Sequence, residues 1–159
     1  MPLTSPAPGP PSSARVAAAV HHAVAAGLLG ESRPVAGFID TDGVRDSVTA
    51  LQDAFAGAPG VLHTFAAKAA SLVPVLRLLA DCGMGCEVAS PGELRLALDA
   101  GFAPSDIVLD SPAKTRDEIR QALALGVALN ADSLDEVRRI AARRARRAAA
   151  RLRVRGNPP

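Results

Sequence analysis

The chain has 159 residues, 48% of them hydrophobic and 21% charged, with a formal net charge of +2. That balance suits one soluble globular unit with a core of its own. Four Phe and no Trp or Tyr leave the core to Ala, Leu and Val, and largely exclude the aromatic platforms of single-strand nucleic-acid binders. No apolar run reaches the roughly 18 residues of a membrane span, and the start lacks the basic-then-apolar order of a signal peptide. Two cysteines make no disulfide scaffold, so a cytoplasmic protein is expected. Nor is a metal expected, because Cys82 and Cys86 have no matching His or Cys pair; they read as small buried residues.

Residues 1–13, rich in Pro, Ser and Ala, read as a disordered leader, and residues 1–33 as that leader plus one helix. Val16, Val20, Val24 and Leu28 recur at helical spacing, and Gly27 or Gly30 ends the helix. Pro34 to Asp40 reads as a short strand. Thr41-Asp42-Gly43 opens a second helix with Val44, Val48, Leu51 and Phe55 inward, stopped at residues 57–60 by Gly-Ala-Pro-Gly.

Val61 to Lys68 is the stretch around which the rest is organised. Its apolar residues suit a strand buried on both faces in a helix-covered parallel sheet, delivering Lys68 into a turn before a helix. Such a lysine either reaches solvent along its stem or is desolvated until its neutral amine becomes a nucleophile able to form a Schiff base. Ser71 then caps a helix with Leu72, Val75, Leu76 and Leu79 inward, Pro74 lying in its first turn.

Strand and helix now alternate. Gly85–Ser90 is a strand, and Ser90 with Glu93 forms a capping box for a helix that Gly101 ends. Asp106–Asp110 is the next, and Thr115 with Glu118 caps a helix with Ile119, Ala122 and Leu123 inward, ended by Gly126. Val127–Ala131 follows, with Ser133 and Glu136 as a third box, and Leu152–Arg155 is a fifth strand. Capping accounts for Glu93, Glu118 and Glu136 without catalysis, and Lys114 reads as a loop or first-turn lysine. His21, His22 and His63 show no partners in the sequence.

Nine arginines fall between Arg138 and Arg155 with no acidic residue among them, leaving nine basic against 16 acidic side chains elsewhere. The block reads as the solvated face of an Ala/Arg helix packing through Val137, Ile140, Ala141, Ala145 and Ala148. No nucleic-acid motif accompanies it, so nucleic acid is not an expected partner.

The alternation demands a parallel α/β sheet with right-handed crossovers, doubly wound or a βα-barrel. About five βα units fall short of the eight of a closed barrel, so a truncated piece or an unusually short relative is expected.

In order, Phe65-Ala-Ala-Lys68-Ala, Gly85-Cys-Glu87-Val-Ala-Ser90-Pro-Gly92-Glu93-Leu94, Ser111-Pro-Ala-Lys114-Thr115, Asn130-Ala-Asp132-Ser133 and Arg155-Gly-Asn157-Pro158 resemble the fold-type III pyridoxal-phosphate-dependent decarboxylases of diaminopimelate, ornithine and arginine. The resemblance runs from about Pro34 to the last residue, and it is the ordered series that is specific. It implies that residues 34–159 are the N-terminal part of an alanine-racemase-like, TIM-type cofactor-binding barrel. It makes Lys68 the residue of the internal aldimine with pyridoxal 5'-phosphate, and Glu87 and Arg155 cofactor-side groups. It also implies an amino-acid substrate and a homodimer. Ala70 and Glu87 depart from the family's commoner asparagine and aspartate, which bears on the substrate. The family's ring-stacking histidine, glycine-rich phosphate loop and ring-nitrogen acid have no counterpart here, nor have the cysteine and aromatic residue of its C-terminal domain. The isolated chain is therefore expected to be inactive; a non-catalytic regulatory half-barrel and a small cofactor carrier are the alternative readings.

Overall fold

Four short strands, β1 (Thr64–Ala66), β2 (Gly85–Val88), β3 (Ile107–Leu109) and β4 (Ala128–Leu129), form one all-parallel sheet in sequence order. The structure is a computed structural model that describes residues 12–58 and 60–153. Helices α1 (Ser12–Ala25) and α2 (Thr41–Ala54) precede the sheet. Then α3 (Val73–Asp81), α4 (Pro91–Ala100) and α5 (Arg116–Leu125) connect successive strands, and α6 (Leu134–Arg153) follows β4. The chain divides between Asp40 and Thr41 into two compact units.

The register explains how so small a sheet is held. Cys86 pairs with Phe65 on one side and Ile107 on the other, and Val88 with Leu109, which pairs in turn with Leu129. These side chains share one face, because successive residues of a strand alternate and paired residues point the same way. That face joins Leu76 and Leu79 of α3, Leu94 and Ala97 of α4 and Ala122 of α5 in the core. Each fully buried Leu, Ile or Val there contributes about 1.5–3 kcal/mol. The other face carries Thr64 and Ala66, Gly85 and Glu87, Val108 and Ala128, most of them half-buried or exposed.

The expectation of a first strand buried on both faces is therefore corrected. β1 is an edge strand of three residues, only Phe65 and its register mates face the helices, and Val61 and Leu62 stay exposed. An apolar run does not distinguish burial on two faces from burial on one; that is set by what the sheet packs against. The segment Pro34 to Asp40 forms no strand. It has β-favouring residues but joins no sheet among the described residues, and Arg15 pairs with Asp40 within this first unit. Ser12 and Ser13, assigned above to a leader, already lie in α1.

Helix starts follow local chemistry closely. Thr115 and Glu118 form the reciprocal capping box, and those hydrogen bonds hold the Glu118 carboxyl below the usual carboxylate range. Ser90 accepts from the Glu93 N–H, but Glu93 Oε2 reaches back one residue further, to the Ala89 N–H at 2.8 Å. Gly101 and Gly126 close α4 and α5 in the left-handed conformation, where a Cβ is penalised. Ser71 is the exception: it donates to the Ala67 carbonyl at 3.0 Å, Leu72 is the N-cap of α3, and Leu72 is exposed rather than inward. On α2, Val48 is buried while Leu51 remains exposed, and Phe55, just past the end of the helix, is exposed too and lies edge-on to His63 at 4.9 Å. Thr115→Ala is expected to lower stability by about 1 kcal/mol in urea unfolding, with Thr115→Ser near wild type. Equal losses in both variants would contradict the capping account.

The expected fifth strand is not found where it was placed. Leu152 and Arg153 belong to the 20-residue α6, while Val154 and Arg155 lie outside the described residues. Ala and Arg favour helix so strongly that the run continues past the expected turn. Val137 and Ala141 of the expected packing stripe are exposed and Ile140 is half-buried; the side chains of Ala145 and Ala148 lie outside the described residues. No helix among the described residues is long and apolar enough to cross a membrane.

Candidate active site at the strand ends

β1 ends at Ala66, and residues Ala67–Ala69 form a single 3-10 turn. Ala67 is fully buried and accepts the Ser71 hydroxyl, which pins the turn and directs Lys68 away from the core. The lysine side chain is 66% exposed, and its Nζ lies 3.7 Å from Oε1 of Glu87, itself 25% exposed. The strand register produces this pairing, since Ala66 sits opposite Glu87 on the open face of the sheet. An exposed pair of this kind contributes no more than about 1 kcal/mol to stability.

The other strand ends add polar groups in a row. The Asp110 N–H donates to the Val88 carbonyl at 2.9 Å, and the Asn130 N–H to that of Leu109 at 3.1 Å. The Asn130 side-chain amide donates to Asp110 Oδ2 at 3.3 Å. Asp110 and Asn130 thus extend the ladder one step past the strands. Residues at the carboxyl ends of parallel strands are where α/β sheets place ligands. Sequence reasoning placed Asp110 and Asn130 at strand ends without linking them; no local pattern joins two residues 20 apart.

Cys86, beside Glu87 but on the helix-covered face, is buried. Burial first, then the carboxylates of Glu93 and Glu87, push its thiol up to about 11. It stays protonated at neutral pH and is no nucleophile.

Lys114, expected in a loop or first turn, is the buried lysine of the structure. Its Nζ lies 3.1 Å from Glu136 Oε2 and donates to the Ser111 carbonyl at 2.6 Å, with the two side chains 0% and 4% exposed. Glu136 also accepts the backbone N–H groups of Lys114 and Asp132. It is therefore a counterion joining the start of α5 to the start of α6 as well as the partner of Ser133, whose hydroxyl accepts the Glu136 N–H. Of the two lysines in the chain, Lys68 is the one whose amine is accessible.

A family profile described as "Pyridoxal-dependent decarboxylase, pyridoxal binding domain" matches residues 42–158. The chain belongs to this family. It is 42% identical over 92 residues to diaminopimelate decarboxylase of Pseudomonas aeruginosa, covering 57% of this chain and 22% of that protein. Among solved structures it is similar to diaminopimelate decarboxylase of Helicobacter pylori complexed with L-lysine, at 36% identity and a TM-score of 0.60, over 64% of this chain and 26% of that one. Ornithine decarboxylase of Entamoeba histolytica is similar at 33% identity and a TM-score of 0.55, covering 64% and 29% of the two chains. The chain thus spans about a quarter of the length of the relatives it matches.

The residues at hand fit part of the family's cofactor. An accessible amine held beside a carboxylate at a strand end suits the carbonyl end of pyridoxal phosphate. Of Lys68, Glu87, Asp110 and Asn130, only Lys68 is basic, so this row offers no separate cradle for the phosphate. Arg155, expected on the cofactor side, lies outside the described residues.

Proposed function

We propose that this chain is the amine-bearing portion of a pyridoxal-phosphate-dependent amino-acid decarboxylase, with Lys68 as the covalent attachment point and Glu87 as the group that orients it. The observation that carries the reading is the exposed Lys68 ammonium 3.7 Å from Glu87 at the end of β1, while Lys114 is consumed by a buried ion pair. When bound, the cofactor supplies the electron sink that loss of carbon dioxide from an amino acid requires. Lys68 contributes the nucleophilic amine, and its position past the strand leaves room for an aldehyde to approach from solvent. Glu87 limits the sweep of the lysine stem. The backbone ladder through Asp110 and Asn130 keeps the neighbouring strand ends in register with it.

The relatives named above act, by their names, on diaminopimelate and on ornithine. We infer a substrate of that class, an amino acid bearing a second amino group at the far end of its side chain. Assembly as a homodimer belongs to the same reading.

Reductive trapping tests it. Wild type incubated with pyridoxal phosphate and then borohydride is expected to carry one label, mapped by peptide mass spectrometry to Lys68, and Lys68→Ala is expected to carry none there. Label on Lys114 or the N-terminal amine instead, or no label at all, would remove Lys68 from the role.

A further inference from the structure

A cavity of about 460 Å³ lies between α5 and α6, lined by Arg116, Arg138, Arg139 and Arg143 over a floor of Ile119 and Ala142. Four guanidinium groups around one cavity repel one another unless anions answer them. The acids of these two helices answer only one of the four, Arg138. Asp117 pairs with Arg120 and Asp135 with Arg138. Glu118 is engaged with Thr115, and Glu136 with buried Lys114. Among the described residues, Arg116, Arg139 and Arg143 are in no ion pair, and no acidic residue follows Glu136 on α6.

The groove is open to solvent, with Arg116, Arg138 and Arg139 exposed and Arg143 half-buried, but the helix starts that carry it are fixed by a buried ion pair. The Lys114–Glu136 pair ties the chain two residues before Arg116 to the helix two residues before Arg138. It sets the spacing across which the arginines face each other. Arg139 and Arg143 stand one turn apart on α6, so their forks fall on the same side.

We propose that this groove binds a small oligophosphate anion, with Arg116, Arg139 and Arg143 supplying bidentate contacts. Arginine forks match phosphate oxygens in pairs, which a field of lysines would not do. The cavity volume falls in the range of small-ligand pockets. A single-strand nucleic acid fits less well, for the chain has no Trp or Tyr on which bases would stack. The groove is lined by α5 and α6, the helices before and after β4 in the chain, shares no residue with the Lys68 end of β1, and does not depend on the cofactor reading.

Isothermal titration of the full chain with sodium pyrophosphate tests this, at low ionic strength and again at physiological salt. Wild type is expected to bind one equivalent saturably, with affinity falling as salt rises. Arg139→Gln/Arg143→Gln should weaken it by at least about tenfold, and Arg139→Lys/Arg143→Lys, which keeps the charge and loses the forks, by a smaller factor. Arg95→Gln on α4 and Lys68→Ala should bind as wild type does, and circular dichroism should match throughout. Absence of saturable binding to wild type would overturn the proposal, as would equal binding by the double glutamine variant. An oligonucleotide that binds with length-dependent affinity and that pyrophosphate cannot displace would also overturn it, in favour of a nucleic-acid surface.

Discussion

Glu136→Ala is expected to destabilise the protein by about 3–5 kcal/mol, a large part of the roughly 5–15 kcal/mol that holds a domain of this size together. The loss is not one ion pair. Removing the carboxylate leaves the Lys114 ammonium buried with only the Ser111 carbonyl, and strips the Lys114 and Asp132 N–H groups of their acceptor. An uncompensated buried charge and two orphaned donors cost more than the pair contributes when intact. Glu136→Gln keeps an acceptor while losing the charge, and should fall between Ala and wild type. Urea unfolding decides the matter; a change below about 0.5 kcal/mol for the alanine variant would place it among ordinary surface substitutions and sink the account.

Acid should reveal the same group. The Asp132 N–H first, then the contacts with Lys114, hold the Glu136 carboxyl below the usual carboxylate range, against the opposing effect of burial. A folded-state value below the unfolded one means that its contribution is fully present above the usual carboxylate range. It is lost as pH falls through the folded value. Stability followed down the acid limb should therefore drop more steeply in wild type than in Glu136→Gln. Parallel curves would mean that Glu136 titrates alike in both states.

Gly85→Ala is the second large effect, expected to cost about 1–3 kcal/mol or more through overpacking. A Cβ at this position would lie 2.5 Å from the Asp106 carbonyl oxygen and 3.1 Å from methyl groups of both Leu62 and Thr64. The first of these is backbone leading into β3, and Thr64 belongs to β1, so the added methyl presses on both neighbours of β2. Neither can yield without moving a ladder. The variant should therefore lose Lys68 labelling as well as stability, because Glu87 lies two residues further along β2 and faces the lysine only while β1 keeps its register. Normal stability with normal labelling would show that the strands tolerate the spread.

Much of this protein was legible along the chain because its signals are local. Thr115 and Glu118, three residues apart, start α5 by satisfying each other's orphan groups, and Gly126 stops it by accepting a conformation that side chains resist. The alternation of such signals with short apolar runs implied a parallel α/β sheet, and the ordered motifs around Lys68 and Glu87 pointed to the family. Sequence periodicity could not distinguish a strand buried on two faces from one buried on a single face, so the half-open edge position of β1 came only from the structure. Nor could it separate the two lysines. Lys68 and Lys114 both sit in turns ahead of helices, yet one is 66% exposed and the other wholly buried. The difference is a carboxylate 22 residues away that packing brings within 3.1 Å of Lys114, whereas nothing covers Lys68 to the same degree. Local propensity acts over a few residues and determined where helices begin and end; which lysine keeps a free amine is a matter of desolvation and long-range charge, and only the tertiary structure decided it.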